Sequence, residues 1–101
     1  MDKTMYTSIQ RYNVKPNSAD EITRRVEKGF VPIVNQAPGF LAYDLVNTGN
    51  NTLTTISTFE NQLGAEYSDK LAAGWVKDNL ASLVTEPPTI MGGKIGVHNT
   101  K

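Results

Sequence analysis

The sequence predicts an α+β domain with the element order β-α-β-β-α-β, and two patterns carry that prediction. Residues 40–46 and 53–59 are rich in aromatic, aliphatic and threonine side chains, which suit a pleated, half-buried surface. Asn and Gly fill residues 47–51 between them, and both accept positive φ, so a β-hairpin with a loop of about five residues is expected. Apolar stripes with helical spacing lie before and after this hairpin, and each stripe adjoins a further extended run.

The first strand is predicted over residues 5–14, which favour β structure, and the first helix begins at Ser18. Ser18 and Glu21 have the spacing of a capping box, in which each side chain accepts from the other residue's backbone N–H. Pro32 lacks an N–H, and its ring crowds the preceding turn. The helix is therefore expected to bend near Lys28 and to continue to about Gln36.

The second helical region is expected after the hairpin, with Asn61 as its N-cap. Gly74 follows two alanines and weakens the helical pattern, which predicts two helical pieces over about residues 62–73 and 75–84. Two prolines end the helical region, and the last strand is predicted over residues 89–97.

Right-handed crossovers arrange this order as a ferredoxin-like plait, a four-stranded antiparallel sheet with both helices on one face. Residues 1–101 are predicted to form a single domain with its core over about residues 4–98. The other face of the sheet still carries apolar residues, and an exposed apolar face usually indicates a partner. The simplest partner is a second copy related by a two-fold axis.

Composition argues against several functions. Ten basic and ten acidic residues give no net charge, so a nucleic-acid partner is not expected. The chain has no cysteine, which excludes disulfides, thiolate metal sites and cysteine nucleophiles. The N-terminus lacks the apolar region of a signal peptide, and no stretch approaches the roughly 20 apolar residues of a spanning helix. A cytoplasmic protein without a membrane partner is therefore expected.

Three short segments stand at the junctions of the predicted elements: Val14–Asn17, Ala37–Phe40 with Tyr43 and Leu45 beyond it, and Thr58–Asn61. Together with the element order, they resemble the antibiotic biosynthesis monooxygenase family of dimeric α+β barrels, over about residues 4–98. The resemblance implies a homodimer whose sheets face each other and a small pocket between sheet and helices. It also implies, for the enzymatic members, oxygenation of phenolic or quinol-type substrates without metal or flavin, because the deprotonated substrate is itself the reductant.

Two features depart from the pattern of that family. Phe59 stands at a third-strand position that tryptophan often holds in enzymatic members. Residues 61–84 contain no histidine, whereas the haem-degrading branch needs an axial histidine on the second helix, so haem degradation is rejected. Both departures favour an alternative, a non-catalytic module that binds a small apolar molecule or serves as an assembly unit.

Six residues are candidates for binding a small aromatic substrate: Tyr43, Phe59, Tyr67, Trp75, Arg11 and Asn13. The indole of Trp75 could stack on a planar ligand, and the tyrosines could donate to a ligand oxygen. Arg11 and Asn13 share one strand face and could hold an anionic oxygen. Each also fits a role without a ligand: a core anchor for Trp75, ordinary packing for the tyrosines, and an exposed strand face for Arg11 and Asn13.

The sequence identifies no proton acceptor. His98 is the only histidine, lies three residues from the C-terminus, and is expected to be an exposed tail residue. A lone histidine without a carboxylate cluster does not make a metal site, so neither a metal nor a cofactor is predicted. Ser8, Thr55 and Ser57 have no His-Asp set around them, which leaves a serine hydrolase unsupported.

Overall fold

A computed structural model describes residues 4–101 and confirms the predicted sheet. Its strands are β1 (Tyr6–Asn13), β2 (Phe40–Gly49), β3 (Thr52–Phe59) and β4 (Thr89–Lys94). They are antiparallel and lie in the order β2-β3-β1-β4, which is the ferredoxin-like arrangement. β4 is three residues shorter than predicted. Residues 1–3, which belong to the predicted domain and to the N-terminal stretch without a signal-peptide pattern, lie outside the described part.

The hairpin between β2 and β3 has a tight two-residue turn rather than the predicted loop of about five residues. Asn50 and Asn51 have φ values of 52° and 59°, and Gly49 before them has a φ of 84°. Successive positive φ values are what a type I′ turn requires, and Asn adopts them readily. Asn50 and Asn51 alone therefore connect the two strands, and strand pairing extends to Gly49 and Thr52.

The first helical region consists of α1 (Ala19–Arg25), a π-turn (Val26–Phe30) and α2 (Val31–Val34). The predicted disturbance near Lys28 takes the form of this π-turn. A π-turn shifts the hydrogen-bond pattern, so Pro32, which has no N–H to donate, can enter α2 at its first turn. The helix ends at Val34, two residues before the predicted end.

The predicted capping box at the start of α1 is wrong. The Ser18 hydroxyl donates to the Lys15 carbonyl oxygen at 2.5 Å and makes no cap hydrogen bond. Glu21 instead accepts from Arg24 and Arg25, with N···O distances of 2.6 Å to each. Ser18 has αR dihedral angles (φ −107°, ψ −7°) instead of the extended conformation typical of an N-cap residue, and the two guanidinium groups take up the Glu21 carboxylate.

The second helix, α3 (Gln62–Asn79), is continuous, so the prediction of two pieces is wrong. Gly74 costs about 1 kcal/mol relative to alanine in a helix, which does not break a helix of 18 residues packed on a sheet. Asn61 is confirmed as the N-cap, because its side-chain oxygen accepts from the Gly64 backbone N–H at 2.9 Å. Residues 80–83 form turns instead of helix, and Val84 forms an isolated antiparallel bridge with Val14.

The core lies between one face of the sheet and the helices. Phe59, Leu53 and Val34 are fully buried there, and Phe30 and Leu80 are nearly so. No helix in residues 4–101 is long and apolar enough to cross a membrane.

Candidate functional site

The face of the sheet that meets the helices carries several polar side chains. Ser8 and Gln10 of β1 and Thr55 and Ser57 of β3 are buried and alternate with residues on the opposite face. Gln10 pairs in register with Thr55, and Ser8 with Ser57, so these groups form a contiguous polar patch. Aliphatic side chains would usually occupy such positions, and ligand pockets characteristically combine an apolar lining with a few polar groups, so this patch is the candidate site.

A narrow interior cavity of about 30 Å³ lies between this patch, the first helical region and α3. The polar part of its wall consists of Gln10, Thr55, Ser57 and Ser68, and the aromatic part of Tyr12, Phe30, Tyr43 and Trp75. An apolar cavity of about 150 Å³ can hold benzene. A ring-sized ligand therefore has to move lining side chains apart or extend beyond this cavity.

The aromatic wall is built from residues of four different elements, namely β1, the π-turn, β2 and α3. The ring of Phe30 lies 5.6 Å from that of Tyr43 and 5.7 Å from that of Trp75, both tilted. Trp75 packs directly on the backbone of Gly29, where a Cβ atom would lie 2.8 Å from its Cζ2 atom. The absence of a side chain at Gly29 in the π-turn thus leaves room for the indole.

A hydrogen-bond network joins the polar patch to α3. Oδ1 of Asp69 accepts from Ser8 Oγ at 2.6 Å and from Gln10 Nε2 at 2.9 Å. The Tyr12 hydroxyl donates to Gln10 Oε1 at 2.5 Å. Three buried strand residues therefore connect the cavity wall to a single half-buried carboxylate.

Two phenols of the cavity wall resist ionisation. Burial, with a smaller contribution from the Asp69 charge, raises the pKa of Tyr12 to about 12. Burial also raises the pKa of Tyr43, and nearby Tyr12 adds to this, while a hydrogen bond with Thr55 acts in the opposite direction. Both side chains are neutral near pH 7, so neither is available as a base.

An open cleft of about 270 Å³ adjoins the cavity. It lies between α3, β1 and residues 84–90, and it shares Gln10 and Tyr12 with the cavity wall. Asp69 lines the cleft but not the cavity. The cleft is thus the surface from which a ligand would approach the Tyr12 end of the cavity.

Of the predicted aromatic candidates, the structure brings together Tyr43 and Trp75, which both line the cavity. Phe59 is fully buried, packs on Phe40 with ring centroids 5.8 Å apart, and does not line the cavity. Tyr67 lies on α3 with 51% of its surface exposed and lines neither cavity nor cleft.

The polar candidates Arg11 and Asn13 lie apart from these residues. Both belong to the face of the sheet that no helix covers, where they line a shallow polar concavity beside the hairpin turn. The side-chain amide of Asn13 donates to Glu86. His98 is exposed, and residues 4–101 contain no group of three or more His, Asp and Glu side chains arranged to hold a metal ion.

Gln10 and Asp69 were not predicted from the sequence as site residues, and Tyr12, one of the four tyrosines that could donate to a ligand oxygen, is not among the six candidates. A signal existed in β1, where Ser8 and Gln10 stand between Tyr6 and Tyr12 on one face of the strand. No comparable signal marks Asp69, because a carboxylate on a helix is ordinarily solvated and only the tertiary contact with β1 distinguishes it.

Comparison with known proteins agrees with the fold and with the family resemblance. Residues 5–65 match the sequence model of the antibiotic biosynthesis monooxygenase family, which is more than half of the chain. A search of curated proteins found no match.

Several solved structures share the fold. A protein of unknown function from Nitrosomonas europaea aligns with a TM-score of 0.81 and 20% identity, over 98% of this chain and 96% of that chain. A monooxygenase from the gene ActVA-Orf6 of Streptomyces coelicolor, in complex with the ligand nanaomycin D, has a TM-score of 0.76 and 13% identity, over 98% and 94% of the two chains. A conserved protein from Methanosarcina mazei has a TM-score of 0.73 and 12% identity, over 90% and 92%. Identities this low establish the shared fold alone.

Proposed function

Because this chain belongs to the antibiotic biosynthesis monooxygenase family, we propose that it binds a small phenolic or quinol-type compound between the sheet and α3 and oxygenates it. The observation that carries the proposal is the interior cavity, whose wall combines Trp75 of α3 with Tyr43, which lies beside Ser57 of the buried polar patch in the sheet. Aromatic side chains hold planar rings in offset or edge-on contact, and a few placed polar groups set the orientation of the ligand.

Oxygenation without metal or flavin requires a substrate that supplies the electrons. A deprotonated phenol is electron-rich enough to react with molecular oxygen at a ring carbon. One oxygen atom then becomes a ring ketone and the other leaves as water, which takes its two hydrogens from the ring C–H and the phenol O–H. The protein contributes by holding the ring in one orientation within a confined site.

A second function, binding of a small molecule without chemistry, is supported by one feature of the cavity. Among the described residues, no histidine, aspartate or glutamate lines it, and Asp69, which is bonded to Gln10 of its wall, lines the adjoining cleft. A phenol held wholly inside the cavity therefore meets no side chain that takes its proton directly. Phe59, in place of the tryptophan of enzymatic members, agrees with this alternative.

Oxygen uptake with a panel of hydroquinones and naphthols distinguishes the two functions. We expect one equivalent of oxygen to be consumed per substrate, and Trp75→Ala to lower the rate by about tenfold or more, the loss expected when an oriented ring contact is removed. Tyr67→Ala is the matched control, since it removes an exposed aromatic side chain from the same helix. Binding without uptake for every compound would support the non-catalytic function.

We also propose a homodimer in which a second copy covers the open face of the sheet. Ile9 pairs with Met91 on one side and Ile56 on the other, which forms an apolar row across three strands of that face. Native mass spectrometry should give about 22 kDa, twice the chain mass of 11.1 kDa. We expect Ile9→Lys to yield monomer, and Leu63→Lys, at an exposed position on α3, to leave the dimer intact. A monomeric wild type would refute this assembly.

A further inference from the structure

Asp69 stands beside the cleft, and two buried side chains fix its orientation. Ser8 and Gln10, which are 1% and 5% exposed, both donate to its Oδ1 atom. Within the described residues, no hydrogen bond is recorded for Oδ2. A half-buried carboxylate is thus held rigidly with one oxygen left for water or a ligand.

The network has a fixed direction of donation. A carboxylate only accepts, so Gln10 must turn its amide nitrogen toward Asp69 and its amide oxygen toward Tyr12. The Tyr12 O–H is then used in donating to Gln10. The two ends of the network therefore offer hydrogen-bond acceptors to a ligand, namely Oδ2 of Asp69 and the phenol oxygen of Tyr12.

We propose that Asp69 determines ligand specificity by accepting a hydrogen bond from a ring hydroxyl, so the site takes uncharged hydroxylated aromatic compounds and rejects aromatic carboxylates. A ligand that covers Oδ2 removes its water, and only a donor replaces the lost hydrogen bond. A carboxylate ligand would instead place two like charges together in a partly desolvated site. This inference rests on the binding site of the proposed function but not on the oxygenation step.

The other charged groups of the cleft do not alter this preference. Lys77 and Glu86 line the cleft, but both are exposed, have opposite signs, and are solvated. Asp69 alone among the three is joined to a buried residue of the cavity wall, Gln10. Discrimination between hydroxylated and carboxylated ligands is therefore expected at the inner end of the cleft and not at its rim.

Anaerobic isothermal titration calorimetry with 1-naphthol and 1-naphthoate tests the inference, since the two share one ring system and binding is separated from oxygenation. We expect wild-type protein to bind 1-naphthol about tenfold or more tightly than 1-naphthoate, the order of a hydrogen bond to a charged group. Asp69→Asn should weaken 1-naphthol binding and improve 1-naphthoate binding, because the new amide offers a donor. Asp78→Asn is the control, since it removes the same charge from an exposed position nine residues along α3.

The outcomes separate the two proposals. If 1-naphthol binds and Asp69→Asn leaves the preference unchanged, the role of Asp69 is refuted and the proposed function stands. Equal binding of both compounds by wild-type protein also refutes it, and binding of neither refutes the binding site altogether. Far-UV circular dichroism establishes that the variant folds, and Asp69→Ser provides the same comparison should the asparagine variant not fold.

Discussion

Replacing Gly29 by alanine tests how Trp75 is held in the wall of the cavity. The added Cβ would lie 2.8 Å from Cζ2, 3.2 Å from Nε1 and 3.3 Å from Cε2 of the indole. Real Cβ contacts do not approach so closely, so the indole must shift. The helix on one side and Phe30 on the other leave the cavity as the space into which it can move.

The change in the free energy of unfolding caused by Gly29→Ala follows from two opposing effects. Alanine in place of a helical glycine stabilises by about 1 kcal/mol at most. Overpacking a filled interior costs about 1–3 kcal/mol. Gly29→Ala should therefore lower the free energy of unfolding by up to about 2 kcal/mol. Gly74→Ala is the matched control, because a Cβ there meets nothing within 4 Å and only the stabilising effect of about 0.5–1 kcal/mol is expected.

Urea denaturation of wild type and both variants measures these differences, and calorimetry with 1-naphthol measures the effect on the cavity. We expect Gly29→Ala to lose stability, Gly74→Ala to gain it, and only Gly29→Ala to bind 1-naphthol more weakly. Equal stabilisation by both substitutions would show that Trp75 does not pack on Gly29 as described.

Three further outcomes are expected. Asn61→Ala removes the acceptor for the Gly64 N–H and should lower the free energy of unfolding by about 1 kcal/mol in urea denaturation. Phe59→Leu should lower the melting temperature without changing the affinity for 1-naphthol in calorimetry, because Phe59 packs in the core and does not line the cavity. Tyr12 has a folded-state pKa of about 12 against an ordinary value of 10.0, so the stability it contributes is present below pH 10 and is lost as pH rises towards 12. Urea denaturation across that range should show a smaller fall for Tyr12→Phe than for wild type.

The strands, the hairpin and the Asn61 cap were predictable because each depends on neighbours in the sequence. The predicted break of α3 at Gly74 failed because the local cost of one glycine is small beside the packing of a long helix on the sheet. The capping box failed because the backbone of Ser18 is not extended, as a capping residue requires, and because Glu21 binds two arginines instead of turning back to Ser18. Local spacing cannot rank such competing partners.

The site was predictable only in part. Tyr43 and Trp75 stand out by residue type, and both line the cavity. Strand alternation correctly grouped Arg11 with Asn13, but it did not reveal which face the helices would cover, since both faces of β1 mix polar and apolar residues. Asp69 could not be found from the sequence, because its partners lie about 60 residues away in the chain.

Binding of a ligand between the sheet and α3 is tested most directly by NMR. The side-chain N–H signals of the protein are followed during titration with 1-naphthol under anaerobic conditions. Trp75 is the only tryptophan, so its indole N–H gives a single, unambiguous signal from the cavity wall. The side-chain amide of Asn50 reports on the opposite face of the sheet. We predict that the Trp75 signal shifts in proportion to occupancy while the Asn50 side-chain signal stays in place. A shift of Asn50 without a shift of Trp75 would contradict a binding site between the sheet and α3.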